Sequence, residues 1–149
     1  MAMSTPEASP VNPRLSVAEL SAFLDDAFPA AARPALGQVV LIAPFHVQTR
    51  LDATTDMLRP GGIVSGPTLM GMADVAAYAV VLAHIGPVPM AVTHTLNMVF
   101  LRACEPALVH AVARILKLGR RLATIDVRLW QRVETNLVAQ ATVGYAMPG

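Results

Sequence analysis

The last third of the chain alternates between apolar and polar residues, which is the pattern of strands that bury one face. In the first alternating segment the apolar face carries every second residue: Val92, His94, Leu96, Met98 and Phe100. Four segments of this kind are predicted to be strands, over residues 91–101, 108–118, 122–132 and 137–146. The connections between them are short, which favours antiparallel pairing.

Residues 67–85 show a different pattern, because apolar residues cover nearly every face that a helix would have. A proline suits the first helical position, so a helix is predicted to begin at Pro67. It should end near His84, because the run Gly86-Pro87-Val88-Pro89 follows. A helix that is apolar on all sides must be buried on all sides.

The amino-terminal residues predict a tail followed by a first helix. Residues 1–14 contain three prolines and no periodicity, which predicts a flexible tail ahead of a single domain over residues 15–149. The first helix should be capped by Ser16, with Glu19 completing a capping box, and should stop before Pro29.

Between the two predicted helices the residues favour β structure and then a loop. Residues 37–51 are β-branched and apolar but interrupted at Pro44, which predicts two short strands or one kinked strand. Residues 53–66 are predicted to be a loop. The order of elements favours an α+β domain in which five or six antiparallel strands pack around the helix at residues 67–84.

The composition indicates that this domain buries apolar surface against a partner subunit. The hydrophobic fraction is 54% and the charged fraction only 14%, against about 45–50% and about 25% in typical domains. A membrane span over residues 67–85 is disfavoured, because Asp74 lies inside it and a carboxylate there costs about 2.5–3.5 kcal/mol. We therefore expect a homo-oligomer.

Charge and cysteine content exclude several other classes of function. The net charge is +1 with acids and bases interspersed, which does not indicate nucleic-acid binding. The single cysteine, Cys104, has no partner for a disulfide and is expected to serve packing. His46, His84 and His110 lack the spacing of metal ligands, and His94 is expected to be a core histidine, so no metal is predicted. No signal-peptide pattern opens the chain, so a cytoplasmic location is expected.

Asp74 is the only formally charged residue between Pro60 and Leu101. In such apolar surroundings a carboxylate must be paired, protonated or exposed in a cleft. The hydroxyl of Tyr78, four residues later, is a candidate donor to it. A functional carboxylate and an ordinary Asp at an exposed helix edge both fit these observations, so both interpretations stay open at this point.

The start of the predicted helix offers a second candidate feature. Ser65-Gly66-Pro67-Thr68 places backbone N–H groups and the positive end of the helix dipole beside a glycine that a ligand can approach closely. Such a position can stabilise a carbonyl oxygen that develops negative charge. It is equally compatible with an ordinary turn into a helix.

Together these features resemble the PaaI-type subgroup of hotdog-fold acyl-CoA thioesterases over roughly residues 37–146. That family has a loop ending in His-Gly-Gly, an apolar helix with an acidic residue, and a strand that opens with Val-Thr or Val-Ser. The matching residues are Ser65-Gly66-Pro67, Asp74 and Val92-Thr93. Further matches are Asn-Met-Val-Phe-Leu at 97–101, Lys-Leu-Gly-Arg-Arg-Leu at 117–122 and Val-Ala-Gln-Ala-Thr at 138–142.

The resemblance implies a hotdog fold and the hydrolysis of an acyl-CoA, medium-chain or aryl-acyl, at a site between two subunits. By this resemblance the Gly66 N–H polarises the thioester carbonyl, and Asp74 acts as general base or nucleophile. Thr93, from the partner subunit, would place the water. The residues implied to hold the nucleotide end of coenzyme A are Lys117, Gly119, Arg120 and Arg121, with Phe100 against them. Coenzyme A would be part of the substrate, no further cofactor is implied, and homodimers that pair into a tetramer are expected.

Three departures from the family pattern keep other functions open. Ser65 replaces the family's His, Pro67 replaces its second Gly, and Arg59 stands where many members have Asn. Arg59 is a candidate to pair with Asp74 or to bind a phosphate or carboxylate of the substrate, and Ser65 is a candidate substrate contact. The main alternative is a protein that binds acyl-CoA without turning it over; a hydratase and a structural oligomer rank lower. The acyl group is expected to contact a set of flexible, adaptable side chains: Met57, Leu58, Met70 and Met90.

Overall fold

A six-stranded antiparallel sheet packs against one long helix in the computed structural model, which describes residues 12–148. The helices are α1 (Val17–Ala27) and α2 (Gly66–Ile85). The strands are β1 (Gln38–Ala43), β2 (His46–Asp52), β3 (Leu58–Arg59), β4 (Ile63–Val64), β5 (Val92–Phe100), β6 (Leu108–Leu118), β7 (Leu122–Trp130) and β8 (Ala139–Ala146). The large sheet has the order β1-β2-β6-β7-β8-β5, so β1 and β5 are its edges. The predicted hotdog architecture is confirmed.

The first helix begins as its sequence predicts. The Ser16 side chain accepts the N–H of Glu19, and the Glu19 carboxylate accepts the N–H of Ser16, which completes the capping box. The helix ends at Ala27, just before Pro29. Of the predicted tail at residues 1–14, most lies outside the described residues, but Arg14 donates its N–H to the Ala83 carbonyl at 2.6 Å and so contacts α2.

Residues 37–51 form two short strands, which was one of the two predicted arrangements. β1 and β2 pair antiparallel across a tight connection at Pro44 and Phe45. The loop predicted at residues 53–66 is wrong in part, because β3 and β4 form a small hairpin there. Its turn uses Gly61 and Gly62 at φ of 101° and 74°, which glycine adopts without strain.

The helix α2 is the centre of the core. It is long and apolar enough to cross a membrane by length and composition, but 72% of its most apolar window is buried inside the domain. It packs against strands of the large sheet, whose inward residues include Ile125, Val127 and Leu129 of β7 at 0% exposure. Burial of a Leu, Ile or Val side chain contributes about 1.5–3 kcal/mol, so this contact is a main source of stability.

One end of α2 is held by a neutral histidine. His84 is 2% exposed; its Nε2 accepts the Phe45 N–H at 2.7 Å, and its Nδ1 donates to the Val80 carbonyl at 2.8 Å. The Phe45 ring stacks on the imidazole at 5.4 Å. Burial lowers the pKa of His84 below its usual 6.5. The imidazole must stay neutral, because a protonated Nε2 could not accept the hydrogen bond from the Phe45 N–H.

We therefore expect the free energy of unfolding to fall as the pH drops below 6.5, because the unfolded chain then binds a proton that the folded chain resists. Burial also lowers the pKa of His46, which adds to the same trend. The melting temperature of the wild type should be a few degrees lower at pH 5.5 than at pH 7.5. His84→Gln should be less stable at pH 7.5 but should show a smaller drop between the two values. An identical drop in both proteins would contradict this role for His84.

Candidate active site

Asp74 lies half-buried on α2, and two hydroxyl groups donate to the same carboxylate oxygen. The Thr93 hydroxyl donates to Oδ1 at 2.6 Å, and the Tyr145 hydroxyl donates to Oδ1 at 2.8 Å. Tyr145 also lies 3.0 Å from the Asp74 carbonyl oxygen. None of residues 12–148 donates to Oδ2. Asp74 is thus a partly exposed carboxylate that is fixed by neutral donors.

The sheet brings the two donors together by register. Thr93 of β5 lies opposite Tyr145 of β8 in the antiparallel ladder, and residues directly opposite each other share a face. Both side chains therefore point towards α2. The predicted placement of Thr93 in the partner subunit is wrong, because within one chain its hydroxyl already contacts Asp74.

A β-bulge in β5 makes this register possible. Between Thr93 and Thr95 the pairing shifts by one residue, so the alternation predicted for residues 91–101 changes phase there. Thr93, not His94, faces α2; His94 is exposed, and its predicted place in the core is wrong. Opposite the bulge stands Gly144, where a Cβ would meet the Thr95 hydroxyl oxygen at 2.5 Å.

Tyr145 was not found by sequence reasoning, which proposed Tyr78 as the donor to Asp74. The Tyr78 hydroxyl instead donates to the Pro89 carbonyl at 3.2 Å, and its ring stacks on that of Tyr145 at 5.9 Å. Tyr145 is only 3% exposed. Burial raises the pKa of its hydroxyl well above the usual value, and the Asp74 carboxylate raises that pKa further. Tyr145 therefore remains a hydrogen-bond donor.

An open pocket of about 350 Å³ leads to Asp74. It is lined by Ala27, Phe28, Asp74, Tyr78, Pro89, Ala91, Val92, Thr93 and Tyr145. The Phe28 ring meets the Tyr78 ring edge-on at 6.1 Å, so aromatic side chains form one wall. None of the four residues expected around an acyl group, Met57, Leu58, Met70 and Met90, lines this pocket.

The start of α2 has one unpartnered backbone donor. Ser65 is the N-cap: its Oγ accepts the Thr68 N–H at 3.3 Å and contacts the Thr68 hydroxyl at 2.8 Å. Pro67 has no N–H, and none of the described residues accepts the N–H of Gly66. The Phe100 ring lies 3.5 Å from where a Gly66 Cβ would be. The Gly66 N–H is therefore available to a ligand, whereas the Ser65 hydroxyl already serves the helix.

Within one chain the structure does not bring Gly66 and Asp74 to the same place. They are separated by eight residues of α2, which corresponds to about 12 Å along the helix axis. A single thioester would need the Gly66 N–H about 3 Å from its carbonyl oxygen, and the Asp74 carboxylate about 3 Å from its carbonyl carbon or from the water that attacks it. The two features belong to different regions of the chain's surface.

Within the described residues of one chain, Arg59 does not pair with Asp74, which was one of the expected arrangements. It is exposed on β3, and its Nε donates to the Pro60 carbonyl at 3.1 Å. The Asp74 carboxylate instead accepts hydrogen bonds from the hydroxyls of Thr93 and Tyr145. The carboxylate is thus not neutralised by an arginine of its own chain within residues 12–148.

Basic residues cluster at the hairpin formed by β6 and β7. Lys117, Arg120 and Arg121 are exposed around an open depression. The tip is tight, because Gly119 donates its N–H to the Leu122 carbonyl at 2.9 Å, and a Cβ on Gly119 would come within 2.9 Å of that oxygen.

The sheet register connects this hairpin to Asp74. Tyr145 pairs with Thr93 on one side and with Ala123 on the other, one residue beyond Leu122. The Met147 N–H also donates to the Arg121 carbonyl at 2.8 Å. Since neighbouring strands lie about 4.8 Å apart, the basic tip and the carboxylate share one end of the sheet.

Cys104 is buried, as expected for a packing residue. Burial raises the pKa of its thiol to about 11, and nearby Glu105 acts in the same direction. A thiol of this kind is a poor nucleophile at neutral pH. Across residues 12–148 no three His, Cys, Asp or Glu side chains are grouped so that they could hold a metal ion.

The chain is similar to proteins of the thioesterase superfamily. The model of the thioesterase superfamily matches residues 61–138, just over half of the chain. A predicted thioesterase from Silicibacter sp. TM1040 is 35% identical, with a TM-score of 0.83 over 95% of this chain and 97% of that one. A predicted thioesterase from Ralstonia eutropha JMP134, described as related to phenylacetic acid degradation, is 26% identical, with a TM-score of 0.74 over 84% and 98%.

More distant similarities support the fold. The PaaI protein of the E. coli phenylacetic acid degradation operon is 18% identical, with a TM-score of 0.70 over 87% of this chain and 94% of that one. At that identity the likeness establishes a common fold only. No curated protein matches the chain.

Proposed function

We propose, because the chain belongs to the thioesterase superfamily, that it hydrolyses an acyl-CoA to the free acid and coenzyme A. The observation that carries this proposal is the carboxylate of Asp74, fixed by two hydroxyls at the wall of an apolar pocket. A carboxylate held in this way accepts a proton from water, or attacks a carbonyl carbon itself.

In the general-base form of the reaction, Asp74 takes a proton from a water molecule as the water oxygen bonds to the thioester carbon. The negative charge that develops on the carbonyl oxygen is stabilised by the N–H of Gly66, at the positive end of α2. The C–S bond then breaks, and the thiolate of coenzyme A leaves and takes up a proton. The base is worth about 10²–10⁴ in rate and the N–H donor about 10²–10³.

The separation of Gly66 and Asp74 along α2 supports a site shared by two chains. The edge strand β5 leaves apolar side chains about half exposed, including Val92, Val99 and Phe100. Antiparallel pairing of two β5 strands about a two-fold axis at Leu96 would set Thr93 of one chain near Phe100 of the other. Because Gly66 lies against Phe100, this pairing would bring Gly66 of the partner subunit towards Asp74.

Each site would then combine Asp74, Thr93 and Tyr145 of one subunit with Gly66 of the partner subunit. The low charged fraction of 14% is consistent with such an assembly, since subunit contacts cover apolar surface. We propose a homodimer that pairs into a tetramer, located in the cytoplasm, with coenzyme A only as part of the substrate.

The pocket beside Asp74 supports a medium-chain or aryl-acyl group as the part of the substrate held there. Phe28, Tyr78 and Pro89 give it flat, apolar walls. The relation of the Ralstonia eutropha protein to phenylacetic acid degradation favours the aryl-acyl group of these two.

Arg120 and Arg121 are proposed to hold the phosphates of coenzyme A. Since a hydrogen bond to a charged group contributes about 1.5–3 kcal/mol, the variant Arg120→Ala/Arg121→Ala should have a KM raised at least tenfold with kcat almost unchanged. A matched control is the same acyl group on pantetheine, which lacks the nucleotide and should be hydrolysed equally by variant and wild type. An equal KM for the acyl-CoA in both proteins would exclude this role for the hairpin.

The second candidate function is acyl-CoA binding without turnover. It is favoured by the position of Ser65, which stands where the family has His and whose hydroxyl serves as the helix cap. Thiol release from short, medium, long and aryl acyl-CoAs, measured beside calorimetric binding of the same esters, separates the two functions. Turnover of any member supports the thioesterase; binding throughout the panel with no thiol release supports the binding protein and excludes hydrolysis.

A further inference from the structure

Two hydroxyls converge on one oxygen of Asp74, and they are not equivalent. Thr93 lies on the exposed edge strand β5, whereas Tyr145 is 3% exposed and lies inside the sheet on β8. Each hydroxyl has a single proton to donate, and both have Oδ1 as their nearest acceptor, at 2.6 and 2.8 Å. Their own oxygens are 3.1 Å apart, so the three groups form one connected network.

This network leaves the two carboxylate oxygens in different environments. Oδ1 accepts two hydrogen bonds from neutral donors, and Oδ2 accepts none from residues 12–148. Two donors at one oxygen restrict rotation of the carboxylate, because turning it would break both bonds. The Tyr145 ring is itself held by the stacked ring of Tyr78, so the donor cannot easily follow such a rotation.

We propose that Tyr145 is a positioning residue of the active site, whose hydroxyl holds Oδ1 of Asp74 so that Oδ2 faces the reacting water. The inference rests on the proposed thioesterase function and adds a residue to it. Although Tyr145 is one of the residues that line the pocket, its hydroxyl contacts neither the water nor the thioester in this scheme. It acts through Asp74, by fixing the orientation of the carboxylate.

Tyr145→Phe removes the hydroxyl and keeps the buried ring. Its effect on kcat therefore reports the loss of the hydrogen bond and not a loss of packing. The loss of a hydrogen bond to a charged group should lower kcat about tenfold or more, with KM unchanged. Thr142→Val, an exposed position on the same strand, should leave both kcat and KM as in the wild type.

A double-mutant cycle tests whether Tyr145 acts through Asp74. In the Asp74→Asn background, Tyr145→Phe should cause no further loss of the residual rate, because the group that it positions is absent. A tenfold loss that persists in that background would overturn the inference and place Tyr145 in a role independent of the carboxylate. A wild-type rate in Tyr145→Phe would overturn it as well.

A readout without turnover keeps this inference distinct from the proposed function. The ¹³C carboxyl chemical shift of Asp74, measured by NMR at one fixed pH, should differ between Tyr145→Phe and the wild type, because Oδ1 has lost one of its two donors. If the difference is found but no acyl-CoA is hydrolysed, the proposed function fails while the hydrogen bond of Tyr145 to the carboxylate stands. If acyl-CoA is hydrolysed but the chemical shift is the same in both proteins, only the inference about Tyr145 fails.

Discussion

Asp74→Asn is expected to lower kcat for acyl-CoA hydrolysis at least a hundredfold, with little change in KM. The amide has nearly the shape of the carboxylate, so the pocket and the contact with Thr93 can persist. What it loses is the ability to take a proton from water or to attack the thioester carbon, and a general base contributes about 10²–10⁴. Steady-state thiol release measures the effect.

The matched control is Asp126→Asn on β7. Asp126 also has hydrogen-bond partners on the sheet, with Gln140 at 2.7 Å and Arg128 at 3.0 Å, but its outward side chain is remote from the pocket at Asp74. This variant should keep a wild-type kcat. Equal and small losses in both variants would show that Asp74 is an ordinary structural carboxylate.

Gly66→Pro is expected to lower kcat about 10²–10³-fold, the usual cost of losing one donor to a developing oxyanion. Proline is favoured at the first position of a helix, and Ser65 before it already has the extended conformation that precedes proline, with ψ at 150°. The substitution therefore removes the N–H of Gly66 without removing a hydrogen bond of α2. Circular dichroism should show an intact helix.

Gly66→Ala separates the loss of the donor from the added bulk. It retains the N–H and adds a Cβ that would lie 3.5 Å from the Phe100 ring, an ordinary contact. Its kcat should fall far less than that of Gly66→Pro. Equal losses in the two variants would mean that space at this position matters and that its N–H does not.

The helices and strands could be predicted from the sequence because each has a strong local signal. The capping box at Ser16 and Glu19 involves neighbours three residues apart, and α2 is marked by its uninterrupted apolar composition. The small hairpin β3–β4 was missed because its strands have two residues each, too few for an alternating pattern. Only the pair Gly61-Gly62 marked it.

The sequence predicts those site residues whose chemistry is visible in a single residue. It does not predict those whose position depends on the pairing of distant strands. Asp74 stands out as a lone charge, and Gly66 stands out beside Pro67 at a helix start. Tyr145 is 71 residues from Asp74, and only the register of β5 against β8 connects them. The bulge that turns Thr93 towards Asp74 has no marker in β5, so the alternating pattern placed His94 instead of Thr93 on that face, although it placed Leu96 and Met98 there correctly.

In the proposed dimer one thioester is held by Asp74 of one subunit and Gly66 of the other. Co-expression of the two inactive variants tests this shared site most directly. Chains carrying Asp74→Asn and chains carrying Gly66→Pro should assort at random, and half of the dimers should contain one of each. In such a dimer one of the two sites has both residues intact, so the mixture should recover about a quarter of the wild-type activity. Activity no higher than that of the separate variants, in dimers shown by two affinity tags to contain both chains, would contradict the shared site.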